Sequence, residues 1–427
     1  MTSPLEQHLH GDFEEHTERM LMSKQVFFSL CALMILLWGP HNAPAAQFVD
    51  LYRAGIDADD AGNFDDALNQ FSEAIKMYGN SAQCWAKRGE VYLKKGDPQS
   101  AVKDLTQAIK LDPAYAAAFT RLGFAYNAIN DYDRAIDALN VAVRLDPTSS
   151  EALNTRGFAY NGKEDYDQAI RDFDQAIRLN SGDARYYNNR GFALNGKHEY
   201  ERAIVDFDKA IKLDSSKAMY YNNRGVAHLR LKDFDRALED FDKTLKIDSK
   251  FSSAYHNRGM ALSGKGRHDK AVEEFSKVIE MIPSSPVLYK DRGTAYRKLG
   301  EYELAVKDFE QAIELDKKFA PAYAALGLLH AVAPEPPLRN PAQAERLVDK
   351  AVALTKGNSP DMLQIQAEVQ YALNRQAAAV TTLRKALAMA PGNKEYTELL
   401  SKWQASASSP LPLQTREAKT MPFATLW

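Results

Sequence analysis

With 427 residues, 45% hydrophobic and 26% charged, the chain has the composition of a folded protein, not of a disordered or collagen-like one. Its 54 basic and 57 acidic residues give a net charge of −3, without the basic excess of a polyanion binder, so nucleic acid is not an expected partner. The two cysteines, Cys31 and Cys84, cannot support a disulfide framework, and spaced Cys/His metal patterns are absent.

The first element is an apolar run over 26–38. Thirteen residues are short for a membrane helix, which needs about 20. The run suits the core of a secretory signal, with Lys24 upstream and Ala43-Pro44-Ala45 downstream as a small-x-small cleavage pattern. Asp12, Glu14, Glu15 and Glu18 are wrong for the start of such a signal, so Met20 or Met22 is the expected natural start. The reading is a leader over 1–46 with a signal peptide at about 22–45, and export to the periplasm or the exterior. The rival reading is an uncleaved anchor at 26–38, the one expected membrane contact. Cys31 lies inside the run, so it is not read as a lipid-attachment site. His8, His10 and His16 are read as leader residues and not metal ligands, and no metal or cofactor is expected.

Beyond the leader a 34-residue period governs the chain. Gly55, Gly89, Gly123, Gly157, Gly191, Gly225, Gly259, Gly293 and Gly327 mark it. Twelve residues after each of the first eight stands an alanine, from Ala67 to Ala305, and four further on a large apolar residue, such as Phe71, Leu105 or Phe173. An aromatic usually precedes the glycine by four, as at Trp85, Tyr187 and Tyr255, and prolines close units at Pro113, Pro147 and Pro283. Each unit carries two apolar stretches of helical spacing joined by a polar turn such as Asn130-Asp131. Glycine in a helix costs about 1 kcal/mol relative to alanine, so its recurrence implies close helix approach.

Period and pattern together resemble the tetratricopeptide repeat. The resemblance implies an all-α fold, a right-handed superhelical solenoid of stacked helix-turn-helix repeats. In that family's convention the glycine is repeat position 8, the alanine 20 and the large apolar residue 24. About ten repeats are expected over 48–393. The ninth, from Ala320, is interrupted at 333–340 by about five inserted residues around Pro334, Pro336 and Pro337. The tenth, from Pro360, keeps Ala367, Ala379 and Leu383 but has no glycine. A capping helix is expected over 394–403 and a disordered tail over 404–427.

Position 7 departs from the family pattern. Arg88, Arg156, Arg190, Arg224, Arg258 and Arg292 stand there, where an apolar residue is usual. Sixteen residues on come Asp104, Asp172, Asp206, Asp240, Glu274 and Asp308. Where the arginine is missing, so is the acid: Ala54 goes with Gln70 and Leu122 with Ala138. The covariation predicts ion pairs inside each repeat, joining its two helices, and not an arginine row for an anionic ligand.

In the family the first helix of each repeat lines the concave groove. Position 9 holds Phe124, Phe158 and Phe192; position 12 holds Asn127, Asn161 and Asn195; position 5 holds Asn154, Asn188 and Asn222; position 6 holds Asn189, Asn223 and Asn257. Two readings stand. Stacked asparagines could bond an extended peptide backbone, with the phenylalanines as apolar pockets. Alternatively the asparagines are solvated or bond one another between repeats, and the phenylalanines pack inter-repeat layers. Phe at position 9 argues against the carboxylate clamp of co-chaperone relatives.

No phosphate loop, nucleophile elbow or metal motif is present, and 394–427 is too short for a catalytic domain. The expectation is a non-enzymatic interaction scaffold for a protein or peptide in the groove. The alternative is a non-catalytic subunit or assembly factor of an envelope enzyme complex, in glycosyltransferase, polysaccharide or peptidoglycan machinery.

Overall fold

The computed structural model describes residues 43–408. The leader, apart from its last residues, and the final stretch 409–427 lie outside the described residues. The chain divides into two compact units, one ending at Leu213 and the other starting at Asp214. All regular structure among the described residues is helical, in 21 helices.

The first unit holds α1 (Ala43–Asp60), α2 (Phe64–Met77), α3 (Ala82–Lys94), α4 (Pro98–Leu111) and α5 (Ala116–Ala128), then α6 (Tyr132–Leu145), α7 (Ser150–Gly162), α8 (Tyr166–Leu179), α9 (Ala184–Gly196) and α10 (Tyr200–Leu213). The second holds α11 (Ala218–Arg230), α12 (Phe234–Ile247), α13 (Ser252–Gly264), α14 (His268–Met281), α15 (Pro286–Leu299) and α16 (Tyr302–Leu315), then α17 (Ala320–Val332), α18 (Pro341–Leu354), α19 (Pro360–Ala372), α20 (Gln376–Met389) and α21 (Lys394–Ser408). Each odd-numbered helix up to α19 pairs with the next even-numbered one, giving ten helix pairs.

The turn inside each pair is set by one residue. Repeat position 15 has positive φ in the first eight repeats, at Gly62, Gly96, Asn130, Glu164, His198, Lys232, Gly266 and Gly300. That left-handed residue closes the first helix. The next residue caps the second: Asp97, Asp131, Asp165 and Asp233 accept from the backbone N–H groups of Ser100, Arg134, Gln168 and Arg236.

The repeating glycine exists because its paired helix lies against it. A Cβ on Gly191 would stand 2.7 Å from Phe207 Cε1, and one on Gly123 would stand 2.4 Å from Leu139 Cγ. Phe71, Phe173, Phe207, Phe241, Phe275 and Phe309, at position 24, are fully buried. Alanine at position 20 is sealed in every one of the first eight repeats. A second, unanticipated contact explains Gly162 and Gly196: Tyr132 and Tyr166 of the preceding repeats lie over them, each Cζ 2.3 Å from where a Cβ would be.

The six expected ion pairs all form inside their repeats. Arg156 donates from Nε and Nη2 to both oxygens of Asp172 at 2.8 and 2.7 Å, and Arg88, Arg190, Arg224 and Arg292 hold their aspartates by the same fork. Arg258 reaches Glu274 at 2.6 Å. The bonds to Asp172 and Asp206 raise the Arg156 and Arg190 guanidinium pKa values above the ordinary arginine value. Where the arginine is absent, Leu122 and Ala138 fill the space as part of one apolar cluster. The structure adds a bond that the within-repeat reading lacked. The remaining Nη1 reaches back to the preceding repeat, to Ser72 from Arg88, Asn140 from Arg156, Asp174 from Arg190, Asp242 from Arg258 and Ser276 from Arg292.

The ninth repeat absorbs its insertion between helices. Val348 packs on Gly327, 21 residues away in sequence where other repeats use 16. His330 Nδ1 lies 2.7 Å from the Leu338 carbonyl oxygen and ties the inserted loop to α17. At the C-terminal end Tyr396, Leu400 and Trp403 of α21 cover the apolar face of α20. That helix runs to Ser408, five residues past the expected end of the capping helix, so 404–408 are helical and not tail. At the other end Ala43-Pro44-Ala45 forms the first turn of α1.

Candidate functional site

The first helices of the third to fifth repeats, α5, α7 and α9, carry the candidate residues of the first unit. Their asparagines are occupied between repeats. Asn127 Nδ2 donates to the Thr155 carbonyl at 3.0 Å, and Asn161 Nδ2 donates to the Asn189 carbonyl at 3.2 Å. Asn189 Nδ2 donates to Asn154 Oδ1 at 2.9 Å. In the second unit Asn257 Nδ2 donates to Asn222 Oδ1 at 3.1 Å. His256 and Asp291 repeat that register, with Nε2 and Oδ2 2.8 Å apart.

Asn127, Asn161, Asn188 and Asn222 are buried. Asn188 bonds its neighbour Asn189 at 3.2 Å, and Asn195 and Asn223 are part-buried and also engaged. The Asn127 and Asn161 Oδ1 atoms are sealed from solvent without a hydrogen-bond partner. The picture of a solvent-facing amide ladder is therefore corrected. These side chains hold neighbouring first helices together, since a buried amide that loses its partner costs about 1–3 kcal/mol.

The phenylalanines go the other way. Phe124, Phe158 and Phe192 are 54%, 48% and 50% exposed, so they do not fill inter-repeat layers. They form a row along α5, α7 and α9, one ring per repeat. One turn on from each stands a small residue: Ala128, Gly162 and Gly196. The row is local. The same repeat position holds Glu90 in α3, Met260 in α13 and a buried Leu328 in α17. Another exposed aliphatic row, Leu111, Leu145, Leu179 and Leu213, instead recurs in successive repeats and belongs to the end of the second helix. Its uniformity sets it apart from the phenylalanine row.

The charges on this face are paired. Arg121 lies between Glu151 at 2.9 Å and Glu90 at 3.6 Å. Lys94 holds Asp59 at 2.7 Å, and Arg185 holds Asp183 at 2.5 Å. Among the described residues no group of three or more His, Cys, Asp or Glu is placed to hold a metal ion. No described helix is long and apolar enough to cross a membrane. Cys84 is a buried free thiol, pushed up to about 11 by burial.

Stacked helix pairs with an exposed row on their first helices define the class of helical-repeat interaction proteins. The chain belongs to the tetratricopeptide repeat family. Models of that repeat match residues 52–102, 86–150 and 338–394, residues 150–183, 184–217, 218–251 and 286–319, and residues 252–285. Such repeats are generally non-catalytic scaffolds that bind proteins or peptides. No curated protein matches the sequence. Among solved structures the chain is similar to yeast Tom70, at 16% identity, covering 84% of this chain and 96% of that one, with a TM-score of 0.42. It is similar to a tetratricopeptide repeat protein from Parabacteroides merdae, at 17% identity, 68% and 98% coverage and a TM-score of 0.46. It is also similar to the MamA protein, at 29% identity, 41% and 95% coverage and a TM-score of 0.36.

Proposed function

We propose that this protein is a non-enzymatic scaffold that binds a protein or peptide segment on the first-helix face of α5, α7 and α9. The observation that carries the reading is the row of Phe124, Phe158 and Phe192, half-exposed in three successive repeats. A regular row of large exposed aromatics lowers solubility, and such surfaces mark interaction sites. Aromatic side chains also dominate binding energy at interfaces. The neighbouring asparagines set the helix spacing that presents the rings.

Export forms part of the proposal, resting on the apolar run 26–38 and the small residues after it. The partner is then a protein of the envelope or the exterior. Photo-crosslinking from position 158 in the full chain, expressed in its own cells, tests the scaffold reading. A discrete crosslinked partner is expected, and it should vanish when Phe124 and Phe192 are changed to Ala. A crosslinking pattern indifferent to those two changes would overturn it. Fractionation and N-terminal sequencing of the same material test export.

A further inference from the structure

We propose that the Phe124–Phe158–Phe192 row takes a proline-rich segment of its partner in the polyproline II conformation, with an apolar side chain at every third position. The inference rests on the scaffold reading of that face and names the chemistry of its ligand.

Spacing is the first argument. Direct hydrogen bonds join α5 to α7 and α7 to α9. Helices in such contact lie about 8–10 Å apart, and the three rings, being equivalent by repeat, share that spacing. A polyproline II helix has three residues per turn and rises about 3.1 Å per residue, so every third residue returns to one side after about 9 Å. A β-strand matches the distance with three residues but turns the third side chain to the opposite face. An α-helix is about 10–12 Å across and would rest on a broad apolar stripe. This row is one ring wide, flanked by buried Asn127 and Asn161 and by Ala128, Gly162 and Gly196.

Donor accounting points the same way. Asn127, Asn161 and Asn189 spend Nδ2 donors between repeats. Proline has no N–H, and a polyproline II backbone needs no pairing partner, so the segment loses little on a face poor in donors. Aromatic-lined grooves are a recurring surface for such segments. Tyr132 and Tyr166 cover Gly162 and Gly196, one helical turn on from Phe158 and Phe192. Charge complementarity selects a neutral ligand, because Arg121, Lys94 and Arg185 are already matched by carboxylates.

Fluorescence anisotropy on the full chain tests the proposal, with a capped, labelled peptide of repeated Leu-Pro-Pro as the probe. Binding is expected, at least about tenfold tighter than to a peptide of the same composition with the leucine spacing scrambled. Phe158→Ala should weaken it by about tenfold or more while Phe158→Trp retains it. Affinity should change less than about twofold between roughly 50 and 500 mM salt. Equal binding of the scrambled peptide, tighter binding of a capped amphipathic helical peptide, or no binding of the probe to folded protein would overturn it. Phe-dependent crosslinking of a partner without probe binding would remove this inference alone. Loss of both would remove the scaffold reading as well.

Discussion

Arg190 grips Asp206 with two N–H groups, from Nε at 2.8 Å and from Nη2 at 2.6 Å, while its Nη1 holds Asp174 of the preceding repeat at 2.6 Å. One guanidinium therefore clamps the two helices of its own repeat and ties that repeat to its neighbour. Asp206 is 5% exposed, so removing Arg190 strands a poorly solvated charge, whereas Arg190 without Asp206 keeps Asp174. Arg190→Ala is expected to cost about 3–5 kcal/mol in urea melts, and Asp206→Ala less. The Arg190→Ala/Asp206→Ala double variant should cost clearly less than the two single losses added together. Strict additivity would show that the pair is not coupled.

Close helix approach at Gly191 gives a test of opposite sign to helix propensity. Alanine favours an exposed helix by about 1 kcal/mol over glycine. Here its Cβ would stand 2.7 Å from Phe207 Cε1. Gly191→Ala should therefore lower the melting temperature, through an overpacking cost of about 1–3 kcal/mol. An unchanged or raised Tm would mean that the ring moves aside freely.

The turn residue at position 15 carries avoidable strain in the middle repeats. Lys232 has φ of 61° and Glu164 has φ of 60°, a conformation that disfavours side chains with a Cβ. Lys232→Gly is expected to stabilise by about 0.5–1 kcal/mol, despite the greater freedom of glycine in the unfolded chain. Thermal melts decide it, and a lower Tm for Lys232→Gly would refute the strain assignment.

Glu368 makes stability depend on pH. It is 5% exposed on α19 and accepts a hydrogen bond from Gln364 Nε2 at 2.8 Å. Burial pushes its carboxyl up to about 7, against the opposing effects of Gln364, Arg297 and Lys298. An acid whose folded pKa is raised favours the protonated native state. Its contribution is present in full below the ordinary glutamate value near 4.5 and is lost as pH rises through 7. Glu368→Gln should match wild type below that lower value and exceed it above pH 8 by about 3 kcal/mol. Urea melts across pH 4–8.5 measure the difference, and parallel profiles would remove the assignment.

The asparagines and phenylalanines of one face should separate stability from binding. Asn161→Ala leaves the inter-repeat contact with Asn189 unmade and should cost about 1–3 kcal/mol. Phe158→Ala changes a half-exposed ring and should leave the melt within about 0.5 kcal/mol. The reverse order in thermal melts would return the phenylalanines to a packing role.

The sequence by itself determined the period, the helix pairs, the close helix approach at the glycine and the six arginine–acid pairs. All of these are local to one repeat, so a fixed spacing such as the 16 residues from Arg88 to Asp104 suffices to read them. It also located the interruption after α17, because inserted prolines cannot continue a helix. The tertiary structure alone decided what lies between repeats. Whether Asn161 meets water, a ligand or the Asn189 carbonyl depends on how closely α7 and α9 stack, and no spacing within a repeat encodes that distance. The third bond of five of the arginines, the tyrosines over Gly162 and Gly196, and the desolvation of Glu368 have the same origin. Neighbouring helices engage the asparagines, and the phenylalanines, left without a layer to fill, stay half-exposed.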